Sequence, residues 1–170
     1  MKKLILVVAT TLMSLTAFAQ AGKIAAGVYG SYVSKDPGLV GIGAKVQYSI
    51  LDNVRPEASF TYFFEKDNYK SWEANVNVHY LFNLGAVNVY PLAGINYTHG
   101  KIDFPSVDLG DYGTYGGGSE SEGKIGANLG AGIEFPFTDS ITLGAEAKYT
   151  INKLYDDGSL VVGLGVTFKF

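Results

Sequence analysis

Two histidines, 16 carboxylates and no cysteine bound the acid–base and nucleophilic chemistry open to this sequence. Without cysteine there are no thiol nucleophiles, thiolate metal sites or disulfides. A hydrolytic centre needs a nucleophile, a base and an orienting partner brought within reach of one another. His99 is followed by Gly100 and Lys101, with no serine beside it, and His79 stands between Val78 and Tyr80. His99 is expected at an exposed rim and His79 as a hydrogen-bonding group inside the fold, so no catalytic residue is assigned. Gly116-Gly117-Gly118 lacks the Lys and Ser or Thr that complete a phosphate cradle. Asp103, Asp108, Asp111, Glu120 and Glu122 form an acidic stretch without the spacing of a calcium loop. Neither a metal nor an organic cofactor is implied.

The remaining chemistry lies in charges placed at alternate positions. Lys45, Arg55, Glu57, Glu73, Glu134, Glu146 and Lys148 each stand between apolar or small neighbours. A period of two makes successive side chains point to opposite faces of a strand. Leu160, Val162, Leu164, Val166, Phe168 and Phe170 alternate with Gly163, Gly165, Thr167 and Lys169. The same rhythm runs through Val40–Ile50, Val54–Phe64, Trp72–Phe82, Ile125–Phe135 and Ile141–Thr150. Segments near 24–33 and 87–98 complete a set of eight, the latter carrying Pro91, where a bulge or break is expected.

One face of these strands is apolar and aromatic, and the other carries nearly all their charge. An eight-stranded barrel has an interior just wide enough for side chains, so small and polar residues suit the inside and large apolar ones the outside. Strands of about 10 residues match a tilted membrane crossing. Outward Tyr32, Tyr62, Phe64, Trp72, Tyr97 and Tyr149 fall toward one rim, and Tyr48, Tyr80, Phe82, Phe135, Phe168 and Phe170 toward the other. Two such bands fit the two headgroup zones of a bilayer. Short connections at 51–53, 83–86 and 136–140 alternate with longer ones at 34–39, 65–71, 99–123 and 151–159. The expected fold is an all-β, eight-stranded antiparallel transmembrane β-barrel, an up-and-down meander with both termini periplasmic.

Lys2 and Lys3, an apolar run from Leu4 and the ending Ala17-Phe18-Ala19 have the layout of a signal peptide. Residues 1–19 are therefore expected to be removed and 20–170 to form the barrel. The 170-residue chain holds 13 basic residues; removing Lys2 and Lys3 leaves 11 against 16 acidic ones, a net charge near −5. That balance offers no surface for nucleic acid.

The strand rhythm and the ending Val162-Gly-Leu-Gly-Val-Thr-Phe-Lys-Phe170 resemble the small outer-membrane β-barrels related to the OmpA transmembrane domain and the OmpX proteins. The resemblance covers 20–170 and implies bacterial outer-membrane localisation, contact with membrane lipid and lipopolysaccharide, and recognition by the barrel assembly machinery. Such barrels include structural anchors, adhesins, small-solute porins and lipid-modifying enzymes. The expected role here is non-enzymatic, structural or surface-interacting, with a narrow porin and a lipid-modifying enzyme as alternatives. The lumenal charges are expected to pair across strands. The 25-residue stretch from His99 to Gly123 is expected to be a mobile external loop, either the main contact surface for an extracellular ligand, with Tyr112 and Tyr115 as recognition candidates, or a solvated acidic brush.

Overall fold

A computed structural model describes residues 23–35, 38–108, 114–155 and 158–170. Residues 1–19 and Tyr112 lie outside the described residues. The strands are β1 (Lys23–Ser34), β2 (Leu39–Ser49), β3 (Val54–Lys66), β4 (Tyr69–Tyr80), β5 (Phe82–Asn83), β6 (Asn88–Asp108), β7 (Thr114–Pro136), β8 (Ile141–Ile151) and β9 (Ser159–Lys169). A single 3-10 turn occupies Lys153–Tyr155. Each long strand pairs antiparallel with the next, and β1 pairs with β9, which closes the sheet. The two-residue β5 continues the stave of β4 against β6. The result is an eight-staved closed barrel with up-and-down topology.

Alternation decides which side chains face the lumen. Glu73, Asn75, Asn77 and His79 on β4 are buried, while Val76, Val78 and Tyr80 are exposed. On β7, Asn128 and Glu134 are buried, while Ile125, Leu129, Ile133 and Phe135 are exposed. Exposed aliphatic and aromatic side chains cover the outer wall on every long strand, and the densest polar packing lies within. This inversion suits a wall solvated by lipid, where backbone groups are satisfied only by neighbouring strands.

Two local expectations change, and that at Pro91 is narrowed to one of its two forms. The connection at 65–71 is a two-residue turn: Asp67 and Asn68 have φ of 53° and 60°, and β3 and β4 run to its edges. Asp and Asn tolerate this left-handed conformation, which matches the twist of a hairpin. At Pro91 there is a break without a bulge. Proline cannot donate to β4, and the β4 ladder stops at His79↔Leu92 before resuming at Phe82↔Val89 in the same register. Opposite, Pro91↔Ala131 continues the ladder to β7 unshifted.

The largest change concerns 99–123. The chain there is not an open loop: β6 and β7 extend as a paired ribbon through Asp108↔Thr114. Pairing of β6 with β4 ends at Tyr69↔Ile102, and pairing of β7 with β8 begins at Ala127↔Ile151. The ribbon therefore projects past its neighbours, beyond the barrel wall. Tyr115 pairs through its backbone with Val107 in this ribbon.

The wall makes a direct test of register. Leu129 points outward and is 56% exposed, whereas the adjacent Asn128 is buried in the lumen. Leu129→Arg should cost about 2–4 kcal/mol of folding into lipid vesicles, measured by urea titration, because it places charge at mid-membrane. A cost near zero would contradict an outward Leu129.

Candidate functional site

The lumen is built from side chains that alternate inward on all staves. At the end where β1 begins and β9 ends, a vestibule of about 770 Å³ is lined by Gln47, Asp52, Arg55, Glu134, Thr142 and Lys169, among others. Arg55 on β3 forms its floor. Its Nη1 and Nη2 donate to the two carboxylate oxygens of Glu134 at 3.0 and 2.6 Å. The same Nη2 contacts His79 Nδ1 at 3.1 Å, and the His79 ring stacks on Tyr90 at 4.4 Å between centroids. A planar guanidinium can hold a carboxylate bidentately and still supply another donor, which lysine cannot do in the same plane.

Above this layer, Glu57 accepts from Gln47 at 2.7 Å and pairs with Lys45 at 3.3 Å. Tyr90 donates its hydroxyl to Glu146 at 3.0 Å. Lys148 meets Glu73 at 3.1 Å, and Asn75 and Thr61 also donate to Glu73. An amide network follows. Asn96 and Asn128 both donate to Asn75 Oδ1, Asn128 also donates to Asn77, and Asn152 donates to Asn96. Thr98 and Thr150 donate to Asn96 and Asn128. Val33, Leu39, Phe63, Tyr69 and Val161 form an apolar cluster at the opposite end of the lumen.

The seven charged residues singled out in the sequence thus line one interior. Three carboxylates have cationic partners: Glu57 with Lys45, Glu134 with Arg55, and Glu73 with Lys148. Glu146 is held by the Tyr90 hydroxyl and makes no ion pair among the described residues. A small cavity of about 30 Å³ lies between Glu57, Glu146, Lys45, Lys148, Tyr29 and Tyr90. A space of this size takes about one water molecule.

Glu57, His79 and Glu146 offer ligand atoms within 4.8 Å of one another. Metal binding at His79 Nε2 would require that nitrogen to be unprotonated. Arg55 donates to Nδ1, which makes Nδ1 the acceptor and leaves the ring proton on Nε2. Nε2 then carries its proton toward Glu57 at 3.9 Å, too far for a hydrogen bond, while Lys45 adds positive charge beside the same carboxylate. With Glu57 already paired to Lys45, Glu146 bonded to Tyr90 and a proton on His79 Nε2, the donor set is a poor fit to a metal centre.

His99 sits on the outer wall at the ribbon's base, where its ring stacks on Trp72 at 5.5 Å. Trp72 also contacts Phe60 and Tyr97, so His99 extends an aromatic row. The nearby Ser71 hydroxyl donates to the His99 carbonyl, a structural contact and not a nucleophile–base pair. Beyond the row, Lys70 bridges Glu65 and Asp103 at 3.1 and 3.3 Å, and Lys101 meets Asp103 at 2.8 Å. Hydrogen bonds to Glu65 and Asp103 hold the Lys70 ammonium above the usual lysine range. Those from Lys101 and Lys70 hold the Asp103 carboxyl below the usual range. The Asp103 contribution is present at neutral pH and disappears as pH falls through its lowered value.

The asparagine network and Tyr90 carry roles that the sequence reading did not assign. Asn75, Asn77 and Asn128 were visible on the polar face, and amides repeated on neighbouring strands are the signal of an interstrand network. Tyr90 was obscured because Pro91 left the facing of its neighbours undecided.

Residues 5–168 match the model of the outer membrane protein beta-barrel domain. The chain belongs to this family. No curated protein matches it. Among solved structures, the N-terminal β-barrel domain of Pseudomonas aeruginosa OprF is 19% identical, with a TM-score of 0.63 over 88% of this chain and 98% of that one. Neisserial surface protein A is 18% identical, with a TM-score of 0.64 over 87% and 96%. Ail of Yersinia pestis, solved with the heparin analogue sucrose octasulfate, is 22% identical, with a TM-score of 0.58 over 88% and 99%. At these identities the likeness concerns the fold. Family membership and barrel together make the chain a bacterial outer-membrane barrel.

The buried pair at the lumen floor is expected to dominate local stability. Arg55→Met should destabilise the barrel by about 3–5 kcal/mol, since Glu134 is left buried and unpaired. Arg55→Met combined with Glu134→Met should cost less than the single change in equilibrium unfolding from vesicles. A double variant at least as unstable as Arg55→Met would show that the pair is not the source of the effect.

Proposed function

We propose that the chain is a non-enzymatic outer-membrane protein whose barrel is a rigid support and whose β6–β7 ribbon is the external contact surface. The observation that carries this reading is the projection of the ribbon beyond every neighbouring strand. Regular pairing holds it upright, so an extracellular ligand would meet a shaped surface. Tyr115 contributes to that ribbon from its backbone position, and Tyr112, outside the described residues, is retained as the second recognition candidate.

The contents of the lumen favour a supporting role over a conducting one. Charged and amide side chains there are spent on one another, with an apolar cluster at one end. Buried charges satisfied in this way rigidify an interior. In the same reading, residues 1–19 direct export and are removed, the exposed wall meets lipid and lipopolysaccharide, and the terminal β9 is presented to the barrel assembly machinery.

Replacing Asp103–Ser119 with Asn-Gly closes the ribbon on the Ile102↔Glu120 pair and leaves the barrel ladders whole. Heat-modifiable migration and membrane insertion should be unchanged. Attachment of expressing bacteria to epithelial monolayers and matrix coatings should fall to that of cells lacking the protein. Undiminished attachment by a correctly inserted variant would refute the ribbon as the contact surface.

A further inference from the structure

The ribbon has two edges, and they differ. Asp103 donates its N–H to the Asn68 carbonyl, away from β7. Backbone groups alternate direction along a strand, so the Asp103↔Ser119 pair is one without mutual hydrogen bonds. The N–H and C=O groups of Ser119, Ser121 and Gly123 therefore point away from β6. Among the described residues, no strand pairs with β7 on that side before Ala127.

On the β6 side, Pro105 occupies the next outward-pointing position after Asp103 and has no N–H to offer. Proline is a standard means of blocking an exposed sheet edge. The β7 edge has no such guard from Ser119 to Gly123. Its outward backbone groups at Ser119 and Ser121 carry small side chains, and the Lys153–Tyr155 turn lies beside β7 below them, where Asn152 Nδ2 donates to the Lys124 carbonyl.

Between these positions lie Glu120 and Glu122, both exposed. They share one face of β7, and an added strand would meet them at the closely spaced positions without hydrogen bonds, where facing side chains come nearest. Lys124 pairs with Glu122, while Glu120 makes no ion pair among the described residues. From Ile102 to Gly126 the ribbon holds five carboxylates against that single lysine. A second copy docking on the same edge would oppose glutamate to glutamate, which disfavours self-pairing.

We propose that the Ser119–Gly123 edge of β7 binds an extended segment of another protein as an added strand, selecting Lys or Arg at positions two apart to face Glu120 and Glu122. This rests on the ribbon being the external contact surface and names its partner chemistry: backbone hydrogen bonds supply the docking, and the two glutamates supply the choice.

The test uses the full barrel in lipid nanodiscs and fluorescent peptides of alternating threonine and lysine. Matched peptides carry glutamate in place of lysine, or N-methyl groups on the backbone facing β7. The lysine peptide should bind. N-methylation, Ser121→Pro and Glu120→Lys with Glu122→Lys should each weaken binding by roughly tenfold or more. Ser121→Pro removes only an outward N–H, and the N-methylated peptide tests the same bonds with the protein unaltered. Equal binding of the N-methylated peptide would mean charge attraction alone and would overturn the proposal, as would no binding of the lysine peptide. If Ser121→Pro spares bacterial attachment while the Asp103–Ser119 replacement abolishes it, the edge is refuted and the ribbon reading stands. If the replacement itself has no effect, the ribbon reading fails.

Discussion

Inside a bilayer every backbone N–H and C=O must find a partner within the protein, since no water is present to accept or donate. For a chain without an apolar helix long enough to span among its described residues, the remaining solution is a sheet with no edge. The β1–β9 pairing supplies it, running from Ala25↔Lys169 to Ser34↔Leu160. Closure then fixes which side of every strand meets lipid. Because adjacent residues face opposite ways, the outer wall and the lumen are written into the same sequence at alternate positions.

The lumen follows from closure. Eight staves leave a narrow interior, and charged side chains placed there lose most of their water. Arg55 meets that cost by gripping Glu134 bidentately and contacting His79, while Lys45 and Lys148 neutralise Glu57 and Glu73. Asparagines complete the interior because an amide both donates and accepts, so neighbouring amides bond one another and, among the described residues, leave only Asn77 Nδ2 of the buried network without a partner. Glycine makes the packing feasible at particular places. A Cβ on Gly132 would collide with the Tyr90 ring, and one on Gly43 with the Tyr29 ring. Lumenal glycines facing these tyrosines make room for their rings and are not vacant space for solute.

Where the sequence kept a period of two under membrane constraint, the fold was legible residue by residue. The inward placement of Glu73 and Lys148 and the outward placement of Leu129 follow from parity alone. Legibility ended where the constraint ended. Beyond the bilayer neither face of the ribbon must be apolar, so Ser119-Glu120-Ser121-Glu122 forms a strand without any hydrophobic alternation to announce it. Hydropathy leaves Asp67-Asn68 within a longer loop, because the positive φ that these two residues adopt is a property of the turn. The partners within the lumen also required coordinates. Sequence places Arg55 and Glu134 on the same side of the wall, yet only the curvature of the closed sheet brings residues so distant in the chain to 2.6 Å.

The central claim is a sheet closed within the membrane and open-edged only outside it. Residue-resolved amide hydrogen exchange in lipid nanodiscs tests that claim most directly. The account predicts slow exchange along the β1–β9 seam, from Ala26 to Tyr32 and from Val162 to Phe168. In the ribbon it predicts alternation, with Ser119, Ser121 and Gly123 exchanging quickly and Glu120 and Glu122, bonded to β6, exchanging more slowly. Rapid exchange along the seam, or uniform exchange across Ser119–Gly123, would contradict it.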